Sequence, residues 1–144
     1  MRHIEGEEVN LLVENFGLGQ TIEHNVEFID SVDHPQIGMI IDIGHVRNRE
    51  GQNPMLTPGV PTEKLHKAGS RLRHTHLHDF YDGIDHRSPF DGEMPWVEIF
   101  QALFDIDYKG LIHFEIAPPP RAVDPLAKVG EVPRKIVESY TRKM

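Results

Sequence analysis

The chain has 144 residues, a formal net charge of −8 and no cysteine. That length suffices for one domain with a real core. The lack of cysteine excludes disulfides, thiolate nucleophiles and thiolate metal sites, and the acidity argues against a broad nucleic-acid face, which leans on Lys and Arg.

A hydrophobic fraction of 38% and a charged fraction of 26% are ordinary for a globular domain. No apolar run approaches a membrane span, and MRHIEGEEVN does not read as a signal peptide, so a cytoplasmic location without membrane contact is expected. Ten histidines are several times the number expected by chance.

The elements alternate along the chain. NLLVEN (10–15) predicts a short buried strand. TIEHNVEFIDSV (21–32) places Ile22, Val26, Ile29 and Val32 near helical spacing behind Thr21 as N-cap. GMIIDIG (38–44) is a second, β-branched strand, followed by a Gly-, Pro- and Asn-rich loop over 46–60. PTEKLHKAG (61–69) predicts a helix capped by Thr62 and stopped by Gly69. RLRHTHLHD (71–79) is a third strand and 80–94 a polar loop. PWVEIFQALFDI (95–106) predicts a helix with Pro95 at its first position and Trp96, Ile99, Phe100 and Leu103 on one stripe. GLIHFEI (110–116) is a fourth strand, APPPRAVDP a rigid linker, and a last helix is expected over about 132–142, because Pro133 would interrupt a longer one.

Strand–helix units repeated four times, with crossovers long enough for parallel pairing, predict an α/β fold with a parallel sheet. Four units suit a small open sheet or half of an eight-unit barrel, which needs roughly 250 residues.

A candidate metal ligand stands near the C-terminal end of each strand: Glu14, Asp42, His76 and Glu115. Strand ends of this kind converge on one face in parallel α/β folds. Each residue singly also fits an ordinary role: a solvated rim carboxylate, a strand-to-loop turn, a core histidine, an ion pair of Glu115 with Arg121. Their recurrence at one relative position on successive strands favours a common ion, since acids within apolar runs are costly to bury unless paired or coordinating. Three carboxylates and one imidazole favour Mn²⁺, Mg²⁺ or Co²⁺, with Zn²⁺ admissible. Along RHTHLHD, His74, His76 and His78 share a strand face, and the period alone leaves the choice of ligand among them open.

VENFGLG (13–19), IDIGHV (41–46), HTHLHD (74–79), HRSPFDGEMPW (86–96) and YKGLIHFEI (108–116) resemble, in order, the motifs of the xylose isomerase-like TIM barrels, which include sugar and sugar-phosphate isomerases and epimerases and the endonuclease IV group. The resemblance implies a single domain over 1–144 that is a parallel (βα)4 half of a TIM (β/α)8 barrel, its fifth to eighth strands, truncated at its N-terminal half. It selects Glu14, Asp42, His76 and Glu115 as ligands of one divalent ion. It implies Glu14 and Glu115 as catalytic acid/base groups and Asp42 as mainly a ligand. His45, His86 and Arg87 become contacts to a small-molecule sugar or sugar phosphate. His74 is expected in a core layer, His78 near the rim, and Asp79 on the opposite face, capping loop N–H groups. The implied reaction is proton transfer next to a carbonyl through an enediolate. The first glycine of the family's G-x-G is here Phe90. An abasic-site phosphodiesterase is the first alternative, with the acidic charge and a missing basic or aromatic stripe against it. The second is a non-catalytic half-barrel, since exposed strand edges invite a homo-oligomer or a chain carrying the missing half.

Overall fold

The computed structural model describes residues 9–16, 21–117 and 125–141. Strand β1 (Leu11–Glu14) is short and lies at an edge. Helix α1 (Ile22–Val32) returns the chain to β2 (Ile37–Asp42), the most deeply buried strand. After a 3₁₀ turn at Pro54–Leu56 come α2 (Val60–Ala68) and β3 (Leu72–Leu77). A hairpin of β4 (Asp79–Tyr81) and β5 (Ile84–Arg87) precedes α3 (Trp96–Asp105), β6 (Leu111–Phe114) and α4 (Pro125–Thr141). Strands β1, β2, β3 and β6 pair in that order, all parallel, so the predicted α/β class and its four principal strands are observed.

Burial explains why these segments are strands. β2 is IGMIID, nearly continuously apolar, as expected of a parallel strand covered on both faces. In β3 the pattern alternates: Thr75 and Leu77 are buried on the helix side, whereas His74 and His76 face the open side. One core cluster lies between the sheet and the helices, built on Ile22, Val26, Ile29, Met39, Ile41, Leu65, Trp96, Ile99 and Leu103. α1 packs on β2 and α2, and α2 on α3. Phe100, predicted on the buried stripe, is only partly buried and packs against that core, while Ala102 takes a fully buried place.

Three boundaries differ from expectation. Thr21 caps α1 as predicted, accepting from His24 N. Thr62, however, is no N-cap: the cap position is Gly59, and Thr62 sits inside the first turn of α2. The capping group comes from α3, where Glu98 Oε1 accepts from Gly59 N at 3.0 Å, Thr62 N at 3.1 Å and Thr62 Oγ1 at 3.0 Å. The stretch read as a polar loop over 80–94 holds the β4–β5 hairpin, closed by Asp82-Gly83 with φ of 49° and 76°, the two positive angles of a tight hairpin turn. The last helix begins at Pro125 and runs through Pro133, which does not end it although proline there removes one N–H and crowds the preceding turn. The linker predicted at APPPRAVDP lies mostly outside the described residues.

Candidate metal centre

The parallel register brings the strand ends together. Asp42 is the last residue of β2 and the register partner of His76 on β3; Glu14 ends β1, and Glu115 follows β6. His76 Nδ1 lies 3.5 Å from Glu14 Oε1, 3.9 Å from Asp42 Oδ2 and 2.9 Å from Glu115 Oε2. The four sequence-predicted ligands therefore occupy one cluster. The Glu14 and Glu115 side chains keep 31% and 42% of their surface, so the cluster is open to a small molecule.

Asp42 is held firmly by one oxygen. Its Oδ1 accepts from Gly44 N at 2.8 Å, His45 N at 2.9 Å and His78 Nε2 at 2.9 Å. Its Oδ2 is buried without a hydrogen-bond partner, as are Nδ1 of His45 and Nδ1 of His76. Buried polar atoms left unpaired are costly unless something satisfies them. Oδ2 lies 3.3 Å from His45 Nδ1 and on the same side as His76 Nδ1, so the orphaned atoms face one another. An oxygen-rich set with a nitrogen, converging on such atoms, fits a divalent cation. Burial would raise the Asp42 pKa, but the His78 hydrogen bond, the neighbouring imidazoles and the His45 N–H together hold it below the ordinary aspartate value, so the group stays an anionic ligand.

His78 departs from expectation. The strand ends at Leu77, so His78 leaves the period-two face, and it is fully buried beneath the cluster rather than at the rim. Its Nδ1 lies 2.8 Å from the His86 backbone N and 3.3 Å from Asp79 O, and its Nε2 lies 2.9 Å from Asp42 Oδ1. Burial would lower the His78 pKa, but the Asp42 hydrogen bond and charge hold it above the ordinary histidine value. Its ring fits only because residue 44 is glycine: a Cβ there would lie 1.9 Å from His78 Cε1. His86, at φ 56°, stacks its ring on His78 with centroids 4.2 Å apart. His74 is only half-buried and meets His113 across the open face.

Of the predicted substrate contacts, His45 and His86 lie at the cluster: His45 Nδ1 is 3.7 Å from Glu14 Oε1, and His86 Nε2 is 4.0 Å from Glu115 Oε1. Arg87 is engaged by Asp91, with Nη2 to Oδ2 at 3.0 Å, and lies over the Tyr81 ring. Sequence reasoning did not single out Asn15, which clamps β1 to β2 by donating to Asp42 O at 2.9 Å and accepting from Asp42 N at 3.0 Å. Nor did it assign a role to Asp85, which receives Arg47 at 2.9 Å and lies 2.9 Å from His86 Nδ1. The adjacency of Asn15 to Glu14 was the available signal. Asp79 behaves as expected, with Oδ1 accepting from Phe80 N and Met94 N and Oδ2 from Trp96 Nε1.

Fold and site together define a parallel α/β scaffold carrying an acid–imidazole cluster at its strand ends. The chain belongs to the xylose isomerase-like TIM barrel family, whose model matches residues 1–131. It is similar to D-psicose 3-epimerase of Enterocloster bolteae, 35% identical over 62% of this chain and 26% of that protein, and to D-psicose 3-epimerase of Ruminiclostridium cellulolyticum, 32% identical over 71% and 30%. A D-tagatose 3-epimerase-like protein of known structure superimposes with a TM-score of 0.72 at 23% identity, over 99% of this chain and 52% of that one. The chain thus spans about a third or less of the curated relatives it matches and about half of that structure.

Proposed function

We propose that the chain forms the metal-binding half of a sugar or sugar-phosphate isomerase or epimerase, a (βα)4 unit equivalent to the last four strands of the barrel. One observation carries this reading: Glu14, Asp42, His76 and Glu115 converge, with Asp42 Oδ2 buried and without a hydrogen-bond partner. The epimerase relatives support the substrate class. These four residues would hold one divalent ion, with Mn²⁺, Mg²⁺ or Co²⁺ favoured by the oxygen-rich set and Zn²⁺ admissible. When bound, the ion supplies Lewis-acid polarisation of substrate oxygens.

The remaining chemistry belongs to the side chains. Glu14 ends β1 and Glu115 follows β6, the two outer strands of the sheet, and both carboxylates approach His76 Nδ1. A sugar carbon next to a carbonyl, placed between them, would lose its proton to one carboxylate and regain one from the other. His45 and His86 would orient hydroxyl groups. Among the described residues no strand pairs with the outer edges of β1 and β6, and Leu11 and Leu111 are exposed, which supports pairing with a complementary half-barrel or a second copy. The reading is tested by elemental analysis of the purified chain and its Glu14→Gln and His76→Ala variants, together with its mass in solution. About one divalent ion per chain, lost in both variants, is the expected result. No bound ion in the wild-type chain after reconstitution would overturn it. Solvent-deuterium uptake beside the carbonyl of a ketohexose, followed by NMR with and without a complementary half, then tests the reaction.

A further inference from the structure

Beside the carboxylate cluster, the open face of the sheet carries a group of three histidines that shares His76 with it. His74 and His76 are two residues apart on β3 and share that face, and His113 on β6 is the register partner of His76. Their ring centroids form a nearly equilateral triangle, 5.3 Å for His74–His76, 5.2 Å for His74–His113 and 5.0 Å for His76–His113. One donor atom from each ring lies within 4.8 Å of the other two.

We propose that His74, His76 and His113 form a second, nitrogen-only site for a borderline divalent cation of the Zn²⁺ or Ni²⁺ kind. An imidazole has two ring nitrogens on separate edges. His76 turns Nδ1 toward Glu14, Asp42 and Glu115, and its second ring nitrogen, Nε2, is the one assigned to the triangle. His74 Nε2 and His113 Nδ1 are 3.0 Å apart. Two nitrogens on one tetrahedral zinc, with Zn–N near 2.0–2.1 Å, lie about 3.3 Å apart, so a cation replaces that hydrogen bond after a shift of a few tenths of an ångström. Strand spacing, rather than loop ordering, sets the separation of the rings. Three imidazoles with an open fourth position are a donor set used by zinc, whereas the neighbouring carboxylates suit harder ions. His113 is exposed and His74 half-buried, so the cation has an entry path. Two donor sets of different softness thus meet at His76.

The test is calorimetric titration of the full chain with Ni²⁺ and, separately, Mn²⁺, in the wild type, a His74→Asn/His113→Asn variant and a Glu14→Gln/Glu115→Gln variant. The histidine variant is expected to lose Ni²⁺ affinity by at least about tenfold while keeping Mn²⁺; the glutamate variant should do the reverse. Cu²⁺ paramagnetic resonance should show three nitrogen ligands in the wild type and fewer in the histidine variant. Ni²⁺ affinity within about twofold of wild type in a folded histidine variant would overturn the site, as would loss of Ni²⁺ in the glutamate variant alone. If the double variant does not fold, His113→Asn alone, at an exposed position, is read the same way. Because Mn²⁺ reports the carboxylate cluster and Ni²⁺ the triangle, failure of one reading is distinguishable from failure of the other.

Discussion

His78 Nε2 donates to Asp42 Oδ1 at 2.9 Å, and neither side chain touches solvent. The bond uses up one carboxylate oxygen and turns the other, unpaired, toward His45 and His76. The ring has room only over Gly44. Gly44→Ala is expected to dislodge His78 and weaken divalent-ion binding by about 10–100-fold, as loss of a group orienting a ligand does. Mn²⁺ calorimetry, with circular dichroism to confirm folding, checks this.

Asp79 joins three donors, Phe80 N on β4, Met94 N in the loop before α3 and Trp96 Nε1 at the start of α3, and is completely buried. Asp79→Ala strands those donors away from water. A loss of about 3 kcal/mol is expected, since hydrogen bonds to a charged group are worth about 1.5–3 kcal/mol each and are not additive. Urea denaturation measures it.

Much of this was legible in the sequence, for identifiable reasons. The four strands were visible because parallel strands are short apolar runs, and β2 is nearly uninterrupted. Glu14, Asp42, His76 and Glu115 stood out as polar groups ending such runs. His78 was misplaced because period two was carried one residue beyond Leu77, where the strand stops. The β4–β5 hairpin was missed because its strands, DFY and IDHR, lack the alternation that would flag Asp82-Gly83 as a turn. Glu98 was missed as the cap of α2 because it comes from another helix, and no local pattern encodes it. Phe90, where the family motif has glycine, keeps a left-handed backbone at φ 65°, and its ring packs beside Trp96.

The Glu98 cap makes stability depend on pH. Burial would raise the Glu98 pKa, but the Gly59 and Thr62 N–H groups and the Thr62 hydroxyl hold it below the ordinary glutamate value. A depressed folded-state pKa contributes stability that is complete above the unfolded value and is lost as pH falls through the folded one. Glu98→Gln should cost about 1 kcal/mol at neutral pH. Its stability should also fall less steeply than that of the wild type on acidification below the ordinary glutamate value. Thermal melts across the acid range distinguish the two slopes.

Core and edge should respond oppositely to substitution. Ile41 has no exposed surface, and Ile41→Ala should cost about 3 kcal/mol. Leu111 is 72% exposed on β6, and Leu111→Lys should change the stability of the isolated chain by no more than about 0.5 kcal/mol. If β6 is an edge that accepts another chain, the same substitution should abolish that association in sedimentation analysis while leaving the far-ultraviolet spectrum intact.

Trp96 is the single tryptophan of the chain. Its indole N–H is bonded to Asp79, the residue after His78, which in turn grips Asp42. A buried indole emits according to the polarity and hydrogen bonding around it, so the protein carries its own optical gauge of the strand-end loop. Ion binding, acidification or a displaced His78 can then be followed as intrinsic emission, without a dye or an engineered label.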